Sequence, residues 1–199
     1  LATWTAIGAE VEFTGCFDGN YHTISGLYAK GSAETLGFIG NLDGGTVSKV
    51  GIIDSYFETD INNCYVGGVV ASNFGTVSQC WFDGTVIIHG PDAYCGGVVG
   101  YNGYEKLTEN CYNLGDVICN YDGEGGGITT VGGVVGHNFA GTVRSCYNAG
   151  TVTENYPSYA PSRVGSLIGC NFGFDYSSMG MGTGYATTEN CYTLSSDMD

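Results

Sequence analysis

The chain has 199 residues, a formal net charge of −15 at pH 7 and a sequence pI of about 4.1. Only 5 lysines and arginines stand against 20 aspartates and glutamates, so we expect no nucleic-acid partner, because polyanions are bound by clustered cations. The chain lacks an apolar run of the about 18 residues that a membrane helix needs, so we expect no membrane insertion in this segment. The 35 glycines follow no Gly-X-Y period, which excludes a collagen-like chain.

Residues 1–35 differ from the rest of the chain, and from residue 36 onwards a short phrase recurs. It reads Val-Gly-Gly-Val-Val at 66–70 and 131–135, Cys-Gly-Gly-Val-Val at 95–99 and Val-Gly-Ser-Leu-Ile at 164–168. An asparagine follows each copy, at positions 29, 36 and 33 residues apart: Asn73, Asn102, Asn138 and Asn171. Self-similarity at this period is typical of a stacked repeat protein.

Each repeat reads as three short strands separated by turns. The first is the Gly-Gly-Val-Val phrase, the second is a strand such as 75–80, and the third is a segment such as 83–86. Helical spacing of apolar residues is absent, and a propeller blade needs about 40 residues and four strands. We therefore predict an all-β, right-handed parallel β-helix of about six coils of about 30 residues. Residues 1–199 would form one solenoid domain, with 1–35 as a divergent capping segment and 36–199 as repeats.

Stacking converts sequence columns into ladders of equivalent side chains. The asparagine column is expected to place amides one above another at a turn, where each donates to the next. A second column faces inward as reduced thiols: Cys80, Cys111, Cys146 and Cys191. The chain has nine cysteines, and the sequence does not pair the five that lie off this column.

The opening phrase at 13–24, Phe-Thr-Gly-Cys-Phe-Asp-Gly-Asn-Tyr-His-Thr-Ile, carries a family resemblance. It resembles the opening of bacterial surface proteins with GLUG repeats, and the Gly-Gly-Val-Val-Gly-x-Asn phrases resemble the GLUG units. The resemblance implies a right-handed parallel β-helix in a secreted or cell-surface protein, often adhesin-like or joined to a peptidase domain in a longer chain. It implies no catalytic residues. The chain departs from the pattern at Ala71, where glycine is usual, and at Leu42 and Val50 in the first unit.

Catalysis is the less favoured interpretation. The lysines and arginines do not share a repeat column, and His22, His89 and His137 occupy unrelated positions. Acidic residues are not matched across coils as paired glycosidase carboxylates would be. We therefore expect a non-catalytic extracellular or cell-surface module, adhesin-like or ligand-presenting, whose partner is a glycan or protein of a host or neighbouring cell. The alternative is a polysaccharide-active β-helix lyase or hydrolase.

Candidate ligand-binding residues are aromatic. The residue after each column cysteine points outward, and a flat stripe of Trp81, Tyr112 and Tyr147 could stack on a sugar. The other interpretation is that these rings cover the turn and stabilise the coils through mutual contacts. The insertion at 153–163 adds Tyr156 and Tyr159 as candidates on a loop.

No cofactor is predicted to be required, but one loop is a candidate Ca²⁺ site. Asn120, Asp122 and Glu124 alternate in a glycine-rich segment, a spacing that lets oxygen ligands converge on a hard cation. The loop lacks the remaining ligands of an EF-hand, so a solvated acidic loop is the alternative. Asp18, Asn20 and the acidic residues of 197–199 are poorer candidates.

Overall fold

The computed structural model describes residues 3–121, 127–155, 162–175, 177 and 183–194. Within these residues the chain is all-β and forms a solenoid of about five turns, with equivalent strands of successive turns paired in parallel. The predicted right-handed parallel β-helix is confirmed, although about six coils were expected. None of the described residues belongs to a helix that could span a lipid bilayer.

An incomplete amino-terminal coil precedes five coils that each contribute to both parallel sheets. The incomplete coil holds β1 (Cys16–Ser25) and β2 (Tyr28–Gly31), and coil one holds β3 (Thr35–Leu36) and β4 (Ile39–Thr59). Coil two holds β5 (Tyr65–Gly67), β6 (Val70–Ser78) and β7 (Trp81–Ile88). Coil three holds β8 (Tyr94–Gly96), β9 (Val99–Asn102), β10 (Leu107–Glu109), β11 (Tyr112–Asn113) and β12 (Asp116–Cys119).

The last two coils follow the same order. Coil four holds β13 (Thr129–Gly132), β14 (Val135–Phe139), β15 (Thr142–Arg144), β16 (Tyr147–Asn148) and β17 (Val152–Glu154). Coil five holds β18 (Ser162–Gly165), β19 (Ile168–Phe172), β20 (Phe174–Asp175), β21 (Thr183–Gly184), β22 (Thr187–Glu189) and β23 (Tyr192–Thr193). One sheet runs β18-β13-β8-β5-β3, and a 16-stranded sheet forms the remaining walls. Within coil five, β20 and β21 form an antiparallel pair.

The Gly-Gly-Val-Val phrase is a corner between the two sheets, so the prediction that it forms a strand was wrong. In coil two, β5 ends at Gly67 and β6 resumes at Val70. A Cβ on Gly67 would collide with the carbonyl oxygen of Val70, and one on Gly96 would collide with that of Val99. The first glycine of the phrase is therefore required by a close backbone approach rather than by strand pairing.

The core is a set of stacked apolar columns inside the coils. Valines at equivalent positions stack across coils and are fully buried: Val70, Val99 and Val135 in one column, and Val47, Val77 and Val143 in another, where buried Thr108 takes the place between Val77 and Val143. Burial of each such side chain contributes about 1.5–3 kcal/mol relative to exposure. The repeated valines of the sequence thus stabilise each coil against its neighbours.

A second corner uses left-handed backbone at a residue other than glycine. It lies directly before the cysteine column, and its members have φ between 51 and 56°: Lys49, Gln79, Asn110, Ser145 and Asn190. L-residues rarely adopt this region, and asparagine tolerates it best. This corner turns the next side chain of each coil, a valine in coil one and a cysteine in the later coils, toward the interior.

Candidate functional site

The four predicted asparagines form one continuous amide ladder. Asn73 Nδ2 donates to Asn102 Oδ1 at 2.7 Å, Asn102 Nδ2 donates to Asn138 Oδ1 at 2.8 Å, and Asn138 Nδ2 donates to Asn171 Oδ1 at 2.7 Å. The first three side chains are fully buried. Asn73 Oδ1 also accepts the backbone N–H of Gly75 at 2.9 Å, so the ladder satisfies the turn as well as its own amides.

A second, shorter amide ladder was missed by sequence reasoning. Asn113 Nδ2 donates to Asn148 Oδ1 at 2.8 Å, and each side chain also bonds the backbone two residues ahead, at Gly115 and Gly150. The signal was present as Tyr-Asn-x-Gly at 112–115 and 147–150. Phe82 occupies the same position in coil two, so the asparagine recurs in only two coils and did not stand out as a column.

The cysteine column faces the interior. Cys80, Cys111 and Cys146 are fully buried, Cys191 is partly exposed, and all nine cysteines of the chain are present as thiols. Each column sulfur contacts the backbone carbonyl two residues earlier, at 3.1 Å for Cys111 and Glu109. Burial raises the pKa of the Cys111 thiol far above its usual range. Because Cys80, Cys111 and Cys146 are all fully buried and contact backbone carbonyls, we infer that these thiols pack as small apolar groups.

The aromatic residues after the cysteines point outward but lie flat against one another. The ring centroids of Trp81 and Tyr112 are 5.8 Å apart with an interplanar angle of 6°, and those of Tyr112 and Tyr147 are 4.9 Å apart at 4°. The other face of Trp81 covers Gly51. Both faces of Trp81 and of Tyr112 are thus covered by neighbouring coils, which agrees with the interpretation that these rings stabilise the coils through mutual contacts. Tyr156 and Tyr159 lie outside the described residues.

A different aromatic surface follows the outer side of the Gly-Gly corner, and we call it the corner cleft. It has a volume of about 480 Å³, within the range of small-molecule sites. Its lining comes from both sheets: Tyr65, Phe74, Asp92, Tyr94, Tyr101, Ile128, Thr130, His137, Phe139, Arg163 and Phe172. The 5-stranded sheet supplies one wall, and the strands that follow the corner supply the other.

The aromatic rings of the corner cleft form a connected wall. Tyr101 lies at its centre, with ring centroids 5.6 Å from Tyr94, 5.8 Å from Tyr65 and 5.7 Å from His137. Tyr94 and His137 meet edge to face at 5.0 Å. These rings come from different coils and tilt at different angles, so they do not form a single closed stack. The wall therefore presents ring surface to the cleft, which a sugar or an aromatic ligand can contact.

Two residues of coil four that line the corner cleft each have a buried polar atom without a hydrogen-bond partner among the described residues. These atoms are Thr130 Oγ1, in a side chain that is 1% exposed, and His137 Nδ1. Burial, together with the nearby positive charge of Arg163, lowers the pKa of His137 to about 4, so the ring is neutral at pH 7. Buried polar groups normally have a partner, so this pair favours a site that accepts a hydrogen-bonding ligand or water.

The charges of the corner cleft come from residues two coils apart. Arg163 is on β18, and Asp92 lies two residues before β8. Asp92 Oδ1 accepts the backbone N–H of Ile128 at 3.0 Å, which ties the carboxylate to the next coil. Arg163 is exposed, and its Nη1 donates to Cys170 Sγ at 3.0 Å. The cleft thus carries a cation at its coil-five end and a backbone-bonded anion at its coil-three end.

Coil four, which holds this unpartnered pair, also carries the match to a family model. Residues 127–153 match the family model of the GLUG motif. The predicted resemblance to GLUG-repeat proteins is therefore confirmed, and the matched GLUG segment runs from the start of coil four into β17. Thr130, His137 and Phe139 of the corner cleft lie inside it. No curated protein and no solved structure matches the chain.

Away from the GLUG-matched coil, one partly buried carboxylate gathers three donors. Glu58 accepts from Lys30 at 2.7 Å, from the Tyr56 hydroxyl at 2.6 Å and lies 3.0 Å from His89 Nε2. Burial by itself would raise the pKa of the Glu58 carboxyl, but these bonds outweigh it and lower the pKa to about 2. Burial and the bond to Glu58 raise the pKa of Tyr56 to about 12. Neither group is poised to exchange a proton near pH 7.

The candidate Ca²⁺ loop is described in part. Asn120 Oδ1 accepts from Asn155 Nδ2 at 3.0 Å, while Asp122 and Glu124 lie outside the described residues. The poorer candidate Asp18 is bonded to Lys49 at 3.0 Å and to the backbone N–H of Asn20 at 2.9 Å. Residues 197–199 also lie outside the described part. Among described residues, no group of three or more histidines, cysteines or acidic residues is arranged to hold a metal ion.

Proposed function

We propose that this chain is a non-catalytic binding module of a secreted or cell-surface bacterial protein, adhesin-like in action, which takes a glycan or protein ligand in the corner cleft. One observation carries the proposal: an open aromatic cleft of about 480 Å³ is lined by residues with buried polar atoms that lack partners among the described residues. Aromatic surface combined with a few polar groups is the usual composition of a ligand site. The GLUG match supports the repeat-module part of the proposal, and the proposal requires no cofactor.

The charges of the cleft favour binding over turnover. Asp92 is the one carboxylate among the described lining residues, whereas glycoside hydrolysis normally uses a pair of carboxylates. His137 is neutral at pH 7 because burial lowers its pKa to about 4, which makes it a poor base for proton abstraction. The cleft thus has groups that can orient a ligand and lacks, among the described residues, a matched acid and base.

A binding screen against glycans and matrix proteins tests the proposal. The Tyr101→Ala variant removes the central ring of the corner cleft, and the Trp81→Ala/Tyr112→Ala variant removes the outward stripe as a matched aromatic control. We expect Tyr101→Ala to weaken binding at least tenfold and the stripe variant to leave it within about twofold, with folding of both checked by circular dichroism. Loss of binding in the stripe variant alone would show that the ligand binds at the outward stripe and not in the corner cleft.

A second candidate function is a polysaccharide-active enzyme, and a cavity beside the Glu58 carboxylate is the observation that favours it. The low pKa of Glu58 keeps this group ionised, as a nucleophile rather than a general acid would be. Lys30, Glu58 and His89 line a cavity of about 370 Å³. Incubation of the chain with a polysaccharide panel, followed by measurement of new reducing ends and of unsaturated products, separates the two functions. Product formation that disappears in Glu58→Gln would overturn the non-catalytic proposal.

Ca²⁺ binding at the acidic loop is a separate proposal. A ligand that binds only the folded chain raises its melting temperature as the ligand concentration increases. We expect millimolar Ca²⁺ to raise the melting temperature of the chain and Asp122→Asn to remove that increase. An unchanged melting temperature at millimolar Ca²⁺ would eliminate the loop as a site.

A further inference from the structure

We propose that the corner cleft binds a glycan through an acidic sugar residue, with the pyranose ring on the aromatic wall and its carboxylate against Arg163. This inference rests on the binding function proposed above and names the ligand class. It follows from the order of side chains along the cleft, from an uncompensated cation and from the buried polar atoms of coil four.

The cleft changes character along the solenoid axis. Two positions of each coil, one on either side of the Gly-Gly corner and seven residues apart, flank the cleft. From coil two to coil five these pairs are Tyr65 and Ser72, Tyr94 and Tyr101, Thr130 and His137, and Arg163 and Cys170. Of these, Ser72 and Cys170 are buried and do not line the cleft. At these positions the cleft-lining residues are therefore aromatic in coils two and three, polar in coil four and cationic in coil five, while Phe74, Phe139 and Phe172 also line the cleft. A ligand that contacts the aromatic, polar and cationic parts of the cleft needs a ring face, a hydroxyl and an anionic group in that order.

Arg163 is an unusual charge in this chain. The formal net charge is −15, and three of the five lysines and arginines pair with acidic residues: Lys30, Lys49 and Arg144. Arg163 has no acidic partner among the described residues, and its described side-chain bond goes to the sulfur of Cys170. A guanidinium has five N–H donors in a planar fork that matches a carboxylate. A ligand carboxylate would accept hydrogen bonds from the N–H groups of Arg163 and neutralise its charge.

The polar pair of coil four favours a hydroxyl-bearing ligand over an apolar one. Thr130 Oγ1 is almost fully buried, and together with His137 Nδ1 it lacks a partner among the described residues. A buried polar atom without a partner is destabilising, so a ligand hydroxyl, acting directly or through one water, would be bound favourably here. Sugar rings supply such hydroxyls next to a C–H face that packs on aromatic rings.

The distribution of charge also limits the ligand. The Asp92 carboxylate is bonded to the backbone N–H of Ile128 in coil four, whereas Arg163 belongs to coil five. That bond partly compensates the charge of Asp92, and one strand spacing of about 5 Å further separates it from Arg163. A single carboxylate beside Arg163 is thus attracted more strongly than Asp92 repels it. A polyanion would instead meet the net charge of −15 along its whole length. We therefore infer isolated acidic residues within an otherwise neutral glycan.

Calorimetric titration of the 199-residue chain with paired oligosaccharides tests this inference. One member of each pair carries a single hexuronic acid, and the other is the same oligosaccharide after reduction of its carboxyl group to the alcohol. We expect the acidic member to bind at least tenfold more tightly, which corresponds to about 1.4 kcal/mol. Arg163→Gln should remove this difference, while Arg144→Gln, a matched change at an arginine paired with Glu109 outside the cleft, should leave it intact.

The outcomes separate the inference from the proposed function. Equal affinity for both members of each pair, or an acid preference that survives in Arg163→Gln, would refute the acidic-sugar inference. If Tyr101→Ala nevertheless abolishes binding of a neutral glycan or a peptide, the binding function stands with a different ligand. If a ligand is found whose binding resists both Arg163→Gln and Tyr101→Ala, the cleft is not the site and both proposals fail. Absence of binding by every acidic oligosaccharide at millimolar concentration also refutes the inference.

Discussion

Removal of one amide from the centre of the asparagine ladder should destabilise the chain strongly. Asn102 is fully buried, accepts from Asn73 at 2.7 Å and from the Thr108 hydroxyl at 3.2 Å, and donates to Asn138 at 2.8 Å. In Asn102→Ala the Asn138 oxygen and the Thr108 hydroxyl lose these partners, while the Asn73 amide keeps a bond to Leu107 O.

The magnitude follows from the number of groups left without a partner. A buried polar group that loses its partner costs about 1–3 kcal/mol, so two such groups predict a loss of about 2–6 kcal/mol. That is a large share of the about 5–15 kcal/mol by which a typical domain is stable. Asn171 is exposed and accepts from Asn138 at the end of the ladder. Asn171→Ala should therefore cost about 0.5–1.5 kcal/mol.

Urea unfolding followed by circular dichroism compares the two variants under identical conditions. Stacked repeats sometimes unfold in steps. The dependence of the free energy of unfolding on urea concentration must therefore be the same in the variants and in the original chain before their stabilities are compared. Asn102→Leu serves as a volume control, because Leu42 occupies this column naturally in coil one. Equal losses in Asn102→Ala and Asn171→Ala, or a loss below about 1 kcal/mol in Asn102→Ala, would refute the ladder as a stabilising network.

Three further predictions concern pH, backbone fit and thiol burial. His137 has its pKa lowered to about 4 in the folded chain against an ordinary 6.5, so the unfolded chain binds more protons between these values. The free energy of unfolding should therefore fall as the pH drops from about 6.5 to 4. Urea unfolding at pH 7.5 and at pH 4.5 measures this fall, which should be about 1–2 kcal/mol smaller in His137→Phe than in the original chain, after allowance for solvent screening. An equal fall in both proteins would show that His137 is not its cause. Gly96→Ala should destabilise by about 2 kcal/mol or more, because its Cβ would meet the Val99 carbonyl, whereas Gly15→Ala, which meets only a phenylalanine ring, should stay within about 1 kcal/mol. A thiol reagent should modify Cys16 rapidly in the folded chain, Cys191 more slowly, and all nine thiols only after denaturation; rapid reaction of the seven others would contradict their burial.

Much of the scaffold was predictable because its residues repeat at equivalent positions. The asparagine and cysteine columns lie at one place in each repeat, and parallel stacking brings such residues into contact. The Gly-Gly corner was misread as a strand, since valine-rich phrases favour strands and the close approach of Gly67 to Val70 O is a three-dimensional property. The left-handed corner carries Lys, Gln, Asn and Ser, so no shared residue type marked it.

The corner cleft could not be found by the same reasoning, because its columns repeat only in part: Tyr65 pairs with Tyr94 and Phe139 with Phe172, but the residue type changes in the other coils. Tyr94, Thr130 and Arg163 occupy one column with three different chemistries. The outward stripe did repeat, and for that reason its rings stack at 4.9 Å between Tyr112 and Tyr147, close to the strand spacing of about 4.8 Å. Aromatic residues that recur at one position of every repeat therefore indicate rings that pack on each other. A position whose residue type changes from repeat to repeat indicates a surface whose side chains are not needed for stacking.

The seven-residue offset across the Gly-Gly corner separates the interior of each coil from its outward pair. Val131 and Val135 face the core, while Thr130 and His137 of the same coil face the cleft. Exchange of an outward pair leaves the valine columns and both amide ladders in place. The residues that line the cleft can thus be substituted coil by coil without a change in the core. A solenoid of this kind can acquire a new ligand preference while its fold and stability stay the same.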